Sequence, residues 1–288
     1  MSFNKNSAIV LIACPDKKGL VNSITNFILK YNGNIIDLEQ HVDQHEKMFF
    51  MRVEWDINEF EIEPDKIQTR FEDDVAKTFN MQWSLHFSRR PPSMAIFVSK
   101  YSHCLFDILS RLQANEWALN IPLVISNHPD LEQAVSQLGI DFHHIPVNKQ
   151  NKLQAEALQI ELLKKHNIDF IVLARYMQIL SSDIIQRYEN KIINIHHSFL
   201  PAFPGAKPYH SAYERGVKII GATSHYVTAD LDEGPIIAQD VEPVRHTNTV
   251  EDLVRIGQDI EKIVLSKAIW AHINFKTLVY KNRTIVFE

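Results

Sequence analysis

From Met94 onward the chain alternates two patterns. Short apolar runs at Met94–Ser99, Pro122–Ser126, Phe142–Pro146, Phe170–Ala174 and Ile192–His196 are separated by stretches in which apolar residues recur at helical spacing. Those stretches fall near His103–Ala114, Asp130–Leu138, Lys149–His166 and Ser181–Tyr188. Strands separated by helices cannot pair through tight turns, so the alternation implies a parallel, doubly wound α/β sheet. A ligand site is expected at the carboxyl ends of such strands. Ile219–Val227 and Pro235–Val244 read as later strands. Thr249 reads as the N-cap of a closing helix that runs as far as Ile273.

Residues 1–86 carry a different order. Ala8–Ala13 reads as a buried strand. Leu20, Val21, Ile24, Phe27, Ile28 and Tyr31 follow helical spacing after Pro15-Asp16, and Asn32-Gly33-Asn34 ends that helix and opens a strand through Ile35, Ile36 and Leu38. Met48–Trp55 gives a further strand. Ile67, Phe71, Val75 and Phe79 recur on a second helix, and Met81–Phe87 supplies the last strand. The order βαββαβ predicts a ferredoxin-like domain. Ser88-Arg-Arg-Pro-Pro-Ser93 is polar, and its two prolines forbid regular helix. Residues 87–93 therefore read as a linker between domains at 1–86 and 94–288.

Composition works by exclusion. A net charge of −5 provides no broad basic surface, so no nucleic-acid partner is expected. The apolar run near the N-terminus is too short for a signal peptide or a membrane span, which makes a cytoplasmic protein the expectation. Cys14 and Cys104 are the only cysteines. Both have apolar neighbours and read as small buried hydrophobes in a reducing compartment, not as a disulfide. The eight glycines complete no dinucleotide or P-loop motif. Gly216 and Gly221 have the P-loop spacing, but Ala222 stands where its lysine would be. No cofactor and no metal are expected: the adjacent pair His196-His197 has no carboxylate or cysteine at ligand spacing, and His143-His144 reads as a strand-edge pair.

One constellation concentrates chemistry. Asn194-Ile-His196-His197-Ser198-Phe199-Leu200-Pro201 closes a predicted strand, and Leu231-Asp232-Glu233-Gly234-Pro235 forms a turn downstream. In an extended chain Asn194 and His196 project from one side, about 6–7 Å apart. Asp232 sits in a turn that Gly234 and Pro235 fix. An amide donor, an imidazole and a carboxylate suit acyl chemistry, in which donors stabilise an oxyanion and a carboxylate manages protons. His225, on the preceding strand, is a candidate neighbour.

These motifs resemble the folate-dependent formyltransferase family, that of glycinamide ribonucleotide formyltransferase, over nearly the whole chain. Asn194-Ile-His196, Ser198-x-Leu200-Pro201 and Leu231-Asp-x-Gly-Pro235 are shared with the transferases. His197-Ser-Phe-Leu-Pro-Ala-Phe203, Ala174-Arg-Tyr-Met-Gln-Ile-Leu180 and Val98-Ser-Lys-x-x-His-Cys104 are similar to the hydrolytic branch, the deformylases of formyltetrahydrofolate. The resemblance implies a Rossmann-like catalytic domain and hydrolysis of 10-formyltetrahydrofolate to formate and tetrahydrofolate. In that reaction Asn194 and His196 would stabilise the oxyanion, and Asp232 would act as base or orienter. It implies a folate slot lined by Met177, Ile179 and Leu180, with Thr228 and Asp230 beside it.

The transferase resembled here holds its substrate phosphate on a glycine- and serine-rich loop. The corresponding Ser99-Lys-Tyr-Ser-His-Cys-Leu105 has no glycine, which favours hydrolysis. Transfer of the formyl group to a small amine is the alternative, and a folate-binding sensor a third reading. Asp16-Lys-Lys-Gly19-Leu20-Val21 and Gly33-Asn34-Ile35 resemble an ACT domain. That implies a homo-oligomer and an amino-acid effector near Asp16, Gly19 and Asn34.

Overall fold

Strand β1 (Ser7–Pro15) is apolar on both faces, and its first eight residues are all buried. Successive side chains of a strand point to opposite faces, so a strand of this composition needs a cover above and below. In the computed structural model, which describes residues 6–201 and 208–288, it has both. β1 pairs antiparallel with β3 (Met48–Asp56) and β4 (Gln82–Phe87), and β2 (Asn34–Asp43) pairs with β3. The order β2-β3-β1-β4 is the ferredoxin-like arrangement expected from βαββαβ. On one face Val10, Ile12, Phe49 and Met51 pack against Ile24, Phe27, Ile67 and Phe71 of the two helices. On the other, Leu11, Ala13 and Phe50 pack with Leu278, Tyr280, Ile285 and Phe287.

The second cover comes from the far end of the chain. The segments Asn274–Tyr280 and Ile285–Glu288 belong to the compact unit that runs up to Pro91, and Pro92–Ile273 with Lys281–Thr284 forms the other. Periodicity alone had left the whole stretch 94–288 in one domain. The hairpin β12 (Thr277–Tyr280) and β13 (Arg283–Val286) is too short to announce itself in sequence.

The second helix of this unit begins at Pro64–Phe71, passes through a π-turn at Glu72–Ala76 and ends at Lys77–Phe79. In a regular α-helix a residue every fourth position drifts by roughly 40° around the axis. The wider turn takes up that drift and keeps Ile67, Phe71 and Val75 on one buried face.

In the second unit β5 (Ser93–Val98), β6 (Asn120–Ser126), β7 (Asp141–His144), β8 (Phe170–Ala174) and β9 (Ile192–His196) are parallel, as the alternation predicts. β10 (Ile219–Tyr226) and β11 (Ile236–Pro243) extend the sheet antiparallel. The order is β11-β10-β9-β8-β5-β6-β7. The chain therefore leaves β5 in one direction and resumes at β8 on its other side, which makes the β5–β8 seam the topological switch point. The closing helix Val250–Ile273 starts where expected. Thr249 Oγ1 accepts the Asp252 amide at 3.2 Å, and Asp252 accepts the Thr249 amide at 3.0 Å, a reciprocal cap. The short helix Pro208–Arg215 had no counterpart in the sequence reading.

Candidate active site

Asn194 and His196 occupy the last turn of the pleat in β9, and β10 runs antiparallel beside them. The register sets His225 opposite Asn194 and Thr223 opposite His196, so all four side chains face one way. A register shift at Ser224/His225 against β11 locally bends β10 at this point. Asn194 Nδ2 lies 3.2 Å from His225 Nε2, and His225 Nδ1 lies 2.9 Å from the carbonyl oxygen of Tyr226. A carbonyl only accepts, so Nδ1 carries the proton. In the neutral ring Nε2 then accepts from the Asn194 amide. The second amide N–H of Asn194 remains for a ligand.

Asp232 reaches this face from the loop between β10 and β11. Its backbone is left-handed, φ 57°, a conformation Asp tolerates better than most residues. Gly234 is required two residues later: a Cβ there would collide with the Tyr226 carbonyl oxygen. Tyr226 N–H in turn donates to the Pro235 carbonyl at 2.9 Å. The glycine lets the loop lie directly on β10, which brings Asp232 Oδ2 to 3.3 Å from His196 Nδ1 and Oδ1 to 3.7 Å from His225 Nε2. The hydrogen bond from His196 first, then the neighbouring His225 imidazole, hold the Asp232 carboxyl well below the ordinary carboxylate range, outweighing its partial burial. His196 Nε2 is buried and has no hydrogen-bond partner among the described residues. The cluster thus presents an amide N–H and an imidazole nitrogen to one space, backed by a carboxylate.

The motif that follows β9 is held from below. Thr223 Oγ1 donates to the Ser198 carbonyl at 2.9 Å, accepts the Leu200 amide at 3.0 Å and accepts Gln239 Nε2 at 2.9 Å. Ala202 and Phe203 of the same motif lie outside the described residues. Because β9 ends at His196, strand alternation stops there, and the His196 and His197 rings lie 5.2 Å apart instead of on opposite faces.

The three expected catalytic positions therefore meet. Of the expected folate positions, Met177 and Ile179 are exposed while Leu180 is buried in the core of the second unit. Thr228 and Asp230 form a turn in which Thr228 Oγ1 donates to the Asp230 carbonyl at 3.1 Å. In the first unit Gly19, φ 94°, precedes the helix Leu20–Lys30; Asp16 N–H donates to the Lys47 carbonyl at 2.9 Å, and Asn34 opens β2. Cys14 and Cys104 are free and buried, as their neighbours suggested, and burial pushes the Cys14 thiol up to about 11. No helix among the described residues is long and apolar enough to cross a membrane.

A second polar cluster was not foreseen. Glu261, 1% exposed, accepts from His103 Nε2 at 2.8 Å and from the Tyr209 hydroxyl at 2.7 Å, with Arg175 Nε 3.5 Å away. Burial alone would raise this carboxyl, but the His103 bond, the Arg175 charge and Tyr209 together hold it below its ordinary value. Tyr209 reaches Glu261 by lying over Gly257, one helical turn earlier, where any Cβ would strike its hydroxyl. The available signal was a charge within an apolar helical register: Ile260, Val264, Leu265 and Ala268 flank Glu261 and are buried with it.

Comparisons with known proteins agree with this layout. Residues 8–75 match the family model described as ACT domain, and residues 93–269 match that described as Formyl transferase. A formyltetrahydrofolate deformylase of Synechocystis sp. is 50% identical over 281 residues, 98% of each chain. The crystal structure of a formyltetrahydrofolate deformylase from Pseudomonas syringae pv. tomato superposes with a TM-score of 0.96 at 42% identity, covering 99% of this chain and 95% of that one. Glycinamide ribonucleotide transformylase 1 from Symbiobacterium toebii matches 71% of this chain and 98% of its own, with a TM-score of 0.65 at 31% identity. The transformylase thus lines up with only part of the chain, whereas the deformylases line up with nearly all of it. With its ACT domain ahead of a Rossmann-like formyl transferase domain, the chain belongs to the formyltetrahydrofolate deformylase family.

Proposed function

We propose that the protein hydrolyses 10-formyltetrahydrofolate. The reaction converts the N10 formamide and one water into the free amine, formate and one proton. The observation that carries the mechanism is the Asp232–His196 pair, 3.3 Å at Nδ1, with His196 Nε2 unpartnered. Asp232 keeps the proton of neutral His196 on Nδ1 and leaves the Nε2 lone pair for water. As water attacks the formyl carbon its proton passes to Nε2, and the imidazolium so formed is stabilised by the ionised Asp232. The free N–H of Asn194 donates to the developing oxyanion. When the C–N bond breaks, His196 returns its proton to N10, and formic acid loses a proton to solvent. His225 is a positioning residue: it holds Asn194 with its amide nitrogen toward the site.

In the same reading Met177 and Ile179 form the walls of the folate slot, with Leu180, Thr228 and Asp230 shaping its edge. The ACT unit takes a small amino acid near Asp16, Gly19 and Asn34 in a homo-oligomer. The decisive experiment measures formate release from 10-formyltetrahydrofolate with no added amine, using Asn194→Ala as control. Steady release abolished by the substitution is the expected result. Tight folate binding with formyl loss only after an amine is added would replace hydrolysis by transfer.

A further inference from the structure

An open α/β sheet binds ligands outside the carboxyl ends of its strands at the switch point, here the β5–β8 seam. In this protein the segments that follow β5 and β8, residues 99–103 and 175–180, contain no glycine. Arg175 follows β8 directly, and Ser99 to His103 follow β5. Arg175 is 8% exposed and has a left-handed backbone, φ 61°. Its guanidinium lies over the Tyr101 ring, 5.0 Å from the centroid.

The hydrogen bonding around this arginine is lopsided. Glu261, its counter-charge, already accepts at both oxygens, from Tyr209 and from His103. Arg175 Nε and Nη1 are buried with no hydrogen-bond partner among the described residues. His197, 7% exposed, likewise has a buried Nε2 with no partner. Both residues border the same buried pair: the His197 ring lies 6.2 Å from the Tyr209 ring, whose hydroxyl donates to Glu261 at 2.7 Å, and Arg175 Nε lies 3.5 Å from that carboxylate. A buried guanidinium left short of acceptors is costly, and a carboxylate is the group its planar donors fit best. A cation would be repelled by Arg175. A multiply charged anion would meet Glu261, 3.5 Å from Arg175 Nε, so the balance selects a single negative charge.

β8 and β9 are paired neighbours, and Arg175 directly follows the last residue of β8 as His197 directly follows the last residue of β9. We propose that Arg175 and His197 form a seat for a small monocarboxylate, namely the formate that deformylation releases. The inference rests on the proposed reaction for the identity of the acid. The seat receives the product beside the row of side chains that generates it and holds it apart from the freed N10 amine.

The test is a titration of the full-length protein with 13C-formate, followed by NMR without any folate and repeated with acetate and chloride. Saturable formate binding is expected in the wild type, weakened at least tenfold in Arg175→Met by the lost charged hydrogen bonds. In turnover assays formate should inhibit the wild type, with that inhibition relieved by a similar factor in Arg175→Met. If Arg175→Met does not fold, His197→Phe and wild-type competition between formate and chloride carry the test. Non-saturable formate binding, unchanged binding in the variants, or equal binding of chloride overturns the seat. Formate binding in a protein that releases no formate from formyl-folate would instead refute the proposed reaction and leave the seat standing.

Discussion

Asp232 and Glu261 are the two carboxylates at the centre of the second unit's polar chemistry, and they are held in opposite ways. Asp232 rises from a loop, with a side chain 29% exposed, and its imidazole partner His196 keeps one ring nitrogen unpaired. Glu261 lies inside a helix, 1% exposed, with both oxygens accepting hydrogen bonds from residues far apart in the chain. Both stay ionised, the first because His196 donates to it and the His225 imidazole lies beside it, the second because its bonds overcome a large burial cost. The contrast shows what separates a reactive cluster from a supporting one. A site that is to bind and turn over a substrate must keep donors and lone pairs unspent. The buried Glu261 carboxylate commits both of its oxygens to remain in the interior.

Substitutions can break this contrast from either side. Asp232→Asn should lower kcat by about 10³-fold with little change in KM, since it removes the group that fixes and stabilises the His196 proton. Formate-release assays across pH check it. Because the Asp232 carboxyl is depressed, it stays charged throughout pH 5–9, so any acid limb in that range must belong to another group. Its own contribution to stability is present above the ordinary Asp pKa and lost only as pH falls below it.

Glu261→Gln should act on stability first. It strands a buried Arg175 and should cost about 3–5 kcal/mol in urea unfolding, a loss typical of removing one member of a buried pair. Tyr209→Phe removes only one hydrogen bond to that carboxylate, and about 1.5–3 kcal/mol is expected in the same measurement. A loss as large as that of Glu261→Gln would mean that the hydroxyl, not the arginine, anchors the network.

The smallest effect concerns His197. Its folded pKa of about 4 lies below the ordinary 6.5, so the unfolded chain takes up a proton that the folded chain refuses between those values. Stability is unaffected above pH 6.5 and falls as pH drops toward 4, by on the order of 1–2 kcal/mol at pH 5. His197→Gln should narrow the difference between melting temperatures at pH 7.5 and pH 5.

How far each cluster could be read in advance follows the same division. Asn194 and His196 lie two residues apart on a strand, and Asp232 lies beside a glycine and a proline that fix its turn, so local rules give each its local geometry, and the family resemblance groups the three. His225 joins them only through the antiparallel register of β10, which no spacing reveals. The polar run Thr223-Ser224-His225 inside an otherwise apolar strand was its one trace. His103, Arg175, Tyr209 and Glu261 come from four separate segments. Glu261 carries one local sign, a charge among apolar helical positions, but only the packing shows which residues pair with it.

The folds divide similarly. The order of strands and helices in both units was legible because period-2 and period-3.6 patterns are local properties of the chain. The second cover of β1 was not, because its own apolar alternation shows that a cover is needed but not that residues 274–280 and 285–288 supply it. Sequence alone thus determined the order of the βαββαβ unit, the doubly wound sheet and the shared strand face of Asn194 and His196, since each depends on neighbours within a few residues. Tertiary structure decided the meeting of Asp232 with His196, the His225 contact, the Glu261 network with its Arg175 ion pair, and the packing of the C-terminal segment. Those depend on which distant segments meet, and that is governed by the packing of the whole core and not by any one stretch of chain.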